Sequence, residues 1–238
     1  MTRRGRLVRR VITTLIALFL VYLATAGLWA YIVTPRVVMM ASTPRVLDLR
    51  SLPDDAVDVL LPVEDPTFRK HHGIDPFARG QGRVTISRAL VRMLYLERYD
   101  LPGVAGGFQR AFRLVNSIAG PADLGPDVMA VVVNKRLGKT LQLKLYLQHV
   151  YMGRHRDRQI YGFPDAARAY FGKEARQLSR REVVTLVAMI VGPNRFHPVL
   201  QSAALGERVR RIERLLRGAC TPGGVRDVHY AGCAAKGR

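Results

Sequence analysis

One stretch of the chain gathers the side chains best suited to chemistry. Residues 63–75 read VEDPTFRKHHGID, setting two adjacent carboxylates, an aromatic ring, paired histidines and a glycine turn in one short run. An apolar run at 57–62 precedes it and reads as a short buried strand or a helix end. A carboxylate just beyond a buried element is fixed in place and partly desolvated. Desolvation raises its pKa and makes it a stronger base. A carboxylate so placed suits work as a base. The same residues also fit a loop in which Asp65 and Asp75 cap helices while the histidines pack or meet solvent.

The rest of the chain must position that stretch. With 238 residues it can bury one sizeable core and still carry tails. Lys and Arg number 38 against 18 Asp and Glu, a net charge of +20. Such a charge predicts a polyanionic partner: nucleic acid, anionic headgroups or a phosphorylated substrate. No charged residue interrupts positions 11–33. About 23 helical residues span roughly 34 Å, enough for a bilayer core of about 30 Å. Trp29 and Tyr31 stand near one end, where interfacial aromatics favour sitting. Arg3, Arg4, Arg6, Arg9 and Arg10 precede the run, and such positive flanks stay cytoplasmic. Residues past about 34 then face outward. A cleaved signal peptide competes, with Ala24-Thr25-Ala26 imitating its cleavage site. The run exceeds the usual apolar segment of about 7–15 residues, which favours an uncleaved anchor. An anchored chain points its charge at lipid or a phosphorylated substrate, not at nucleic acid.

The expected organisation is a basic tail at 1–10, an anchor at 11–34, a linker at 35–55, a globular domain at 56–200, and a C-terminal helix and Cys-containing tail at 201–238. Pro35, Pro44 and Pro53 interrupt any helix in the linker. Ile86, Leu90, Met93 and Leu94 recur at helical spacing and put Arg88 and Arg92 on one face. Residues 100–126 are rich in Gly and Pro, with a helical piece at 108–117 that exposes Arg110 and Arg113. Residues 127–138 suit a buried strand or a buried helix. Strict alternation over 140–152 argues for a strand. Ser179 and Glu182 form a capping box before an apolar helix that Gly192-Pro193 stops. Residues 202–217 are amphipathic, with Leu205, Val209, Ile212 and Leu216 on one stripe and the arginines outward. Cys220 and Cys233 enclose a turn-rich segment that permits a disulfide on an external face, and they are too few for a zinc site.

The pattern Glu-Asp-x-x-Phe-x-x-His-x-Gly-Ile-Asp, carried by Glu64, Asp65, Phe68, His71, Gly73, Ile74 and Asp75, resembles the first motif of glycosyltransferase family 51. These are the peptidoglycan transglycosylases that polymerise lipid II. Gly82, Thr85, Ile86, Leu90 and the Lys-like Arg92 follow the family's second motif, with departures at Arg83, Val84, Arg88 and Ala89. Tyr146, Leu147, Tyr151 and Gly153 match further on, as does the run from Tyr161 to Lys173.

The resemblance implies a mainly α, lysozyme-like transglycosylase domain behind a single N-terminal transmembrane helix. It makes 127–138 and 140–152 helical. It implies Glu64 as the base, supported by Asp65, Phe68, His71, Gly73 and Asp75. Thr85, Arg88, Arg92, Lys135 and Arg136 would surround a leaving pyrophosphate. The implied partners are lipid II, the growing glycan strand, anionic lipids and other wall-synthesis proteins. The sequence requires no cofactor and assigns no metal ligand, although the family often places a divalent ion, Mg or Mn, at the pyrophosphate. The family's second catalytic Glu falls on Pro126 here. Asp127 is the nearest acid, and one residue turns a side chain about 100° around a helix. The alternative reading is therefore a catalytically impaired member that binds glycan or lipid-linked precursor, or acts as a scaffold.

Overall fold

The computed structural model describes residues 3–198 and 202–234 and is mainly α-helical. Helix α1 runs Arg3–Ala41 and has two different halves. Its first half, with Leu7, Leu15, Leu18 and Val21, lies bare. In its second half Ala26, Trp29, Ala30, Val33, Val37 and Ala41 form a buried stripe at spacings of three and four. This stripe packs mainly on α5 (Gly125–Arg136). Gly27 allows the approach, since a Cβ there would stand 3.1 Å from Val128 Cγ1.

The expected break at Pro35 does not occur, and α1 continues through it. A proline inside a helix costs about 3 kcal/mol. Burial of Val33, Val37 and Ala41 on both sides of Pro35 offsets that cost. The first third of the expected linker is therefore helical and belongs to the domain core.

Helix α2 (Ala56–Glu64) buries Ala56, Val59, Leu60 and Val63 and ends on the candidate base. Helix α3 (Ile86–Leu90) starts at Thr85, whose side chain accepts from the Arg88 N–H. It passes directly into a π-helical segment, Val91–Arg98. Helix α4 (Gly103–Ala119) is longer than the piece expected at 108–117. Arg113 is also not free: it donates to Leu96 O, to Tyr99 O at 3.0 Å and to Asp100 at 2.7 Å.

Both ambiguous segments are helices, α5 and α6 (Lys139–His149). The alternation in α6 misleads because Leu143, Leu145 and Leu147 are all buried. A helix enclosed nearly all round carries no polar face to set the period. An antiparallel hairpin follows, β1 (Tyr151–His155) and β2 (Arg158–Tyr161). Arg156 and Asp157 at its turn both take positive φ, at 46° and 61°. That geometry matches the right-handed twist of a hairpin.

Helix α7 (Gly162–Phe171) leads to α8 (Arg180–Met189), which has the expected reciprocal Ser179–Glu182 capping box. Helix α9 (Ser202–Leu216) buries Leu205, Val209 and Ile212 as expected. Arg208 departs from the expectation for its arginines, being 3% exposed. Cys220 and Cys233 are bonded, and the tail packs Tyr230 and Cys233 into the same core as α2 and α8.

Candidate active site

Glu64 closes α2 at the floor of a cleft of about 820 Å³. The walls come from loop 80–86, the π-helical segment, α6, the β-hairpin and α9, through residues that include Gln81, Arg92, Tyr146, Tyr151 and Arg208. Tyr146 donates its hydroxyl to Glu64 Oε2 at 3.2 Å. Protein crowds the carboxylate on most sides, but it stays partly exposed through the cleft. Burial pushes its pKa up to about 7, against the lowering pull of Arg208 and of the Tyr146 hydrogen bond. Arg208 exerts that pull at a distance, because its guanidinium is spent on Ala188 O at 2.8 Å and Val228 O at 2.6 Å. Among the described residues no cation forms an ion pair with Glu64. A carboxylate left to desolvation in this way can take up a proton near neutral pH.

The neighbouring acid points the other way. Asp65 is fully buried. It accepts from His71 Nε2 at 2.9 Å and from the Ile86 N–H at 2.9 Å. His71 Nδ1 accepts the Gly73 N–H at 2.9 Å, which places the ring proton on Nε2, facing Asp65. Lys139 donates to His71 O at 3.0 Å and lies 4.4 Å from the Phe68 ring centre. Asp75 accepts from Thr67 and from the Phe77 and Ala78 amides, which hold its carboxyl below the usual range. Gly73 sits at φ +114°, and a Cβ there would be 2.5 Å from Ala130 O. Thr85 lines the cleft, as expected of it, but is buried and donates its hydroxyl to Gly73 O at 2.5 Å. Asp65, Phe68, His71, Gly73 and Asp75 thus form a lattice that fixes the end of α2 against α3 and α5. Of the motif residues in this stretch, Glu64 is the one that lines the cleft.

The expected cation cluster is divided. Arg92 lines the cleft, with only a 3.5 Å contact to exposed Glu97. Arg88 does not line it, being paired to Asp127 at 2.7 Å. Asp127 stands in the first turn of α5, outside the cleft lining, and so does not replace a second acid there. Lys135 and Arg136 are also outside it: both are exposed on the last turn of α5, with Arg136 stacked 4.1 Å over Tyr31 of α1. The physical reason is rotation. On α5 the buried face at Met129, Ala130 and Val133 is committed to α1 and α3, so its charged positions point away.

Sequence reasoning missed Arg98, Arg208 and Gln81, and it read Tyr146 as a motif match without a place in the site; all four are cleft residues. Arg208 carried a signal: it lies three after Leu205 and four before Ile212, on the apolar stripe itself. Gln81 is 7% exposed, and neither end of its amide has a partner among the described residues. The described residues include no group of three or more His, Cys, Asp or Glu suited to a metal. The carboxylates lining the cleft, Glu64 and Glu97, are too few to build a protein-made Mg or Mn centre there.

Fold and site together define a helical domain, carried on a long apolar helix, with one desolvated acid facing basic residues across a cleft. Residues 126–217 match the family described as Transglycosylase. The chain is 31% identical over 202 residues to penicillin-binding protein 1B of Escherichia coli K12, covering 77% of this chain and 22% of that protein. It is 28% identical over 183 residues to penicillin-binding protein 1B of Haemophilus influenzae, covering 71% and 21%. Against penicillin-binding protein 1A of Pseudomonas aeruginosa it is 26% identical over 181 residues, covering 75% and 20%. The chain belongs to the transglycosylase family, glycosyltransferase family 51, and spans about a fifth of the length of these relatives.

Proposed function

We propose that this chain is a peptidoglycan glycosyltransferase that polymerises lipid II into glycan strands. The observation that carries the reading is Glu64, the desolvated acid of the cleft lining, with its pKa raised to about 7. A hydroxyl of the acceptor sugar attacks the anomeric carbon of the donor. The new C–O bond forms as the bond to the lipid pyrophosphate breaks, and the pyrophosphate leaves with the electron pair. Glu64 takes the hydroxyl proton. Arg92 and Arg98, exposed along the cleft wall, supply positive charge where the leaving group develops negative charge. Tyr146 orients the Glu64 carboxylate through its hydroxyl.

The lipid tail of such a donor stays in the bilayer, so the domain belongs at a membrane surface. One helix among the described residues is long and apolar enough to cross a membrane. The bare, charge-free part of α1, residues 11–21, would span only about 16 Å of a core of roughly 30 Å. A bilayer crossed by α1 therefore reaches the level of Trp29 and of α4, which is tied there by the hydrogen bond from Trp29 Nε1 to Ala105 O. Val104, Phe108, Leu114 and Ile118 on α4 are exposed and suited to that depth. The arginines before residue 11 keep the N-terminus cytoplasmic and the cleft outside. They and the other exposed cations favour anionic lipid, each by about 1 kcal/mol near the surface.

Asp127 gives the second reading its support. It is tied to Arg88 outside the cleft, and the other acid on the cleft lining, Glu97, is an exposed side chain 3.5 Å from Arg92. A member that binds lipid-linked precursor without turnover would look the same. Polymerisation of lipid II by the full-length protein beside Glu64→Gln tests both readings. Glycan chains from the wild type and none from the variant support catalysis. Lipid II binding without chains from either supports the second reading.

A further inference from the structure

The matched family region ends at residue 217, and the chain then folds back onto the cleft. Residues 220–233 form a loop whose ends are joined by the Cys220–Cys233 bond. Asp227 holds its turns, accepting from the Gly223, Ala231 and Gly232 amides at 2.7–2.9 Å. The loop makes backbone bonds to the stretch that precedes α3. The Gly80 N–H donates to Gly224 O at 3.0 Å, and the Gly82 N–H donates to Val225 O at 2.9 Å. Both glycines have φ near +77°. Side chains at these positions would run into Tyr230, Pro222 and Val228, at 2.7 to 3.0 Å. Loop 80–82, with Gln81 between its two glycines, is therefore held to the tail at both ends.

The tail also reaches the candidate base. Tyr230 is 1% exposed and donates its hydroxyl to Val63 O at 2.5 Å, one residue before Glu64. Val228 lines the cleft, and its carbonyl takes one arm of Arg208. The same guanidinium lies 5.3 Å from the Tyr230 ring centre. The end of α2, loop 80–82 and Arg208 thus meet on one short disulfide-closed segment.

We propose that segment 220–233 is a wall of the catalytic cleft, with Tyr230 and Arg208 as positioning residues that fix Glu64 against it. The inference rests on the polymerase reading for its kinetic test but not for its structural one. Tyr230 holds the last turn of α2 closed, which keeps water from the buried side of the carboxylate. Arg208 supplies a fixed positive charge that is braced by the tail and so cannot swing in to neutralise Glu64.

Tyr230→Phe deletes one oxygen and keeps the ring. The acid limb of the kcat/KM profile for lipid II polymerisation should move down by about half a pH unit or more, because a better-hydrated Glu64 loses its proton sooner. The same variant should lower kcat about five-fold, with KM within about two-fold. A merely structural role would lower the active fraction without moving the limb. Cys220→Ser with Cys233→Ser, which frees the segment's end, should shift the limb the same way. In the full-length protein in micelles, Tyr230→Phe should speed hydrogen exchange at the Gly80, Gly82 and Asp65 amides. An unmoved limb with unchanged exchange overturns the proposal. If the wild type makes no glycan chains, the polymerase reading falls and exchange alone decides: faster exchange at those amides upholds the wall, and unchanged exchange removes it.

Discussion

Glu64 at the end of α2 and Asp127 at the start of α5 are the two acids the sequence offered for catalysis, and the fold treats them oppositely. Asp127 is paired at 2.7 Å with Arg88, which cancels its charge where it stands. Glu64 has a tyrosine hydroxyl at 3.2 Å and an arginine that acts only at a distance. One acid is ion-paired, and the other stands desolvated with no paired cation among the described residues. A proton acceptor near neutral pH needs the second condition. Proximity to a basic residue in sequence says little about which condition holds. The deciding fact is where the cation spends its hydrogen bonds.

The largest expected effect breaks the comparison at its reactive end. Glu64→Gln should lower polymerisation of lipid II by about 10²- to 10⁴-fold, the usual worth of a positioned base. Wild-type activity should rise with pH through about 7, as Glu64 loses its proton, and this limb should vanish in the variant. Stability should move the opposite way. The folded pKa lies above the ordinary 4.5, so the stability linked to this proton is full below pH 4.5 and is lost as pH rises through about 7. At pH 8 the glutamine variant should be the more stable form by about 2 kcal/mol, and at pH 4 nearly equal to wild type. Thermal unfolding in micelles at both pH values reads this directly. Asp127→Asn should leave turnover within about three-fold while costing about 1 kcal/mol of stability, because it strands a half-buried Arg88. Loss of activity comparable to Glu64→Gln would restore Asp127 to the chemistry.

A second prediction targets the joint between the two regions. Gly73 brings the Glu64 loop against the α5 backbone at Ala130, and nothing larger fits. Gly73→Ala meets both a positive φ and a carbonyl oxygen at 2.5 Å. It should cost about 2–4 kcal/mol, from overpacking plus backbone strain. Denaturant unfolding measures it. A cost below 1 kcal/mol would mean that the loop and α5 move apart freely, and that the cleft floor does not depend on α5.

The sequence made much of this legible, for local reasons. The capping box at Ser179 and Glu182 carries its own geometry, so the start of α8 was readable to the residue, while its end falls at Met189, ahead of the expected stop at Gly192-Pro193. The run from Glu64 to Asp75 was readable as a special stretch. The stretch divides between its two readings: Glu64 lines the cleft, Asp65 accepts the first amide of α3, and Asp75 binds amides of a turn where a helix end was expected. Helix α6 was obscured because burial on all sides removes the polar face that sets a period. The path of α1 past Pro35 was obscured because its stabilising partner, α5, lies some 90 residues away. Arg208 was readable in principle from its place on the stripe of α9. Its role was not, because the carbonyls that hold it come from α8 and the tail.

The smallest expected effect sharpens the reactive end from the opposite wall. Gln81 is buried beside the cleft with both ends of its amide unspent among the described residues. An unpaired buried amide costs stability, about 1–3 kcal/mol, unless something outside the chain satisfies it. The substrate proposed above would offer that through its sugar hydroxyls. If Gln81 serves the protein alone, Gln81→Leu should be neutral or stabilising and leave KM unchanged. If it serves substrate, the same variant should keep or gain up to about 1 kcal/mol of stability while raising KM about three- to ten-fold. Stability and KM moving in opposite directions is the expected result, because a residue kept for the ligand is one the empty fold would be better without.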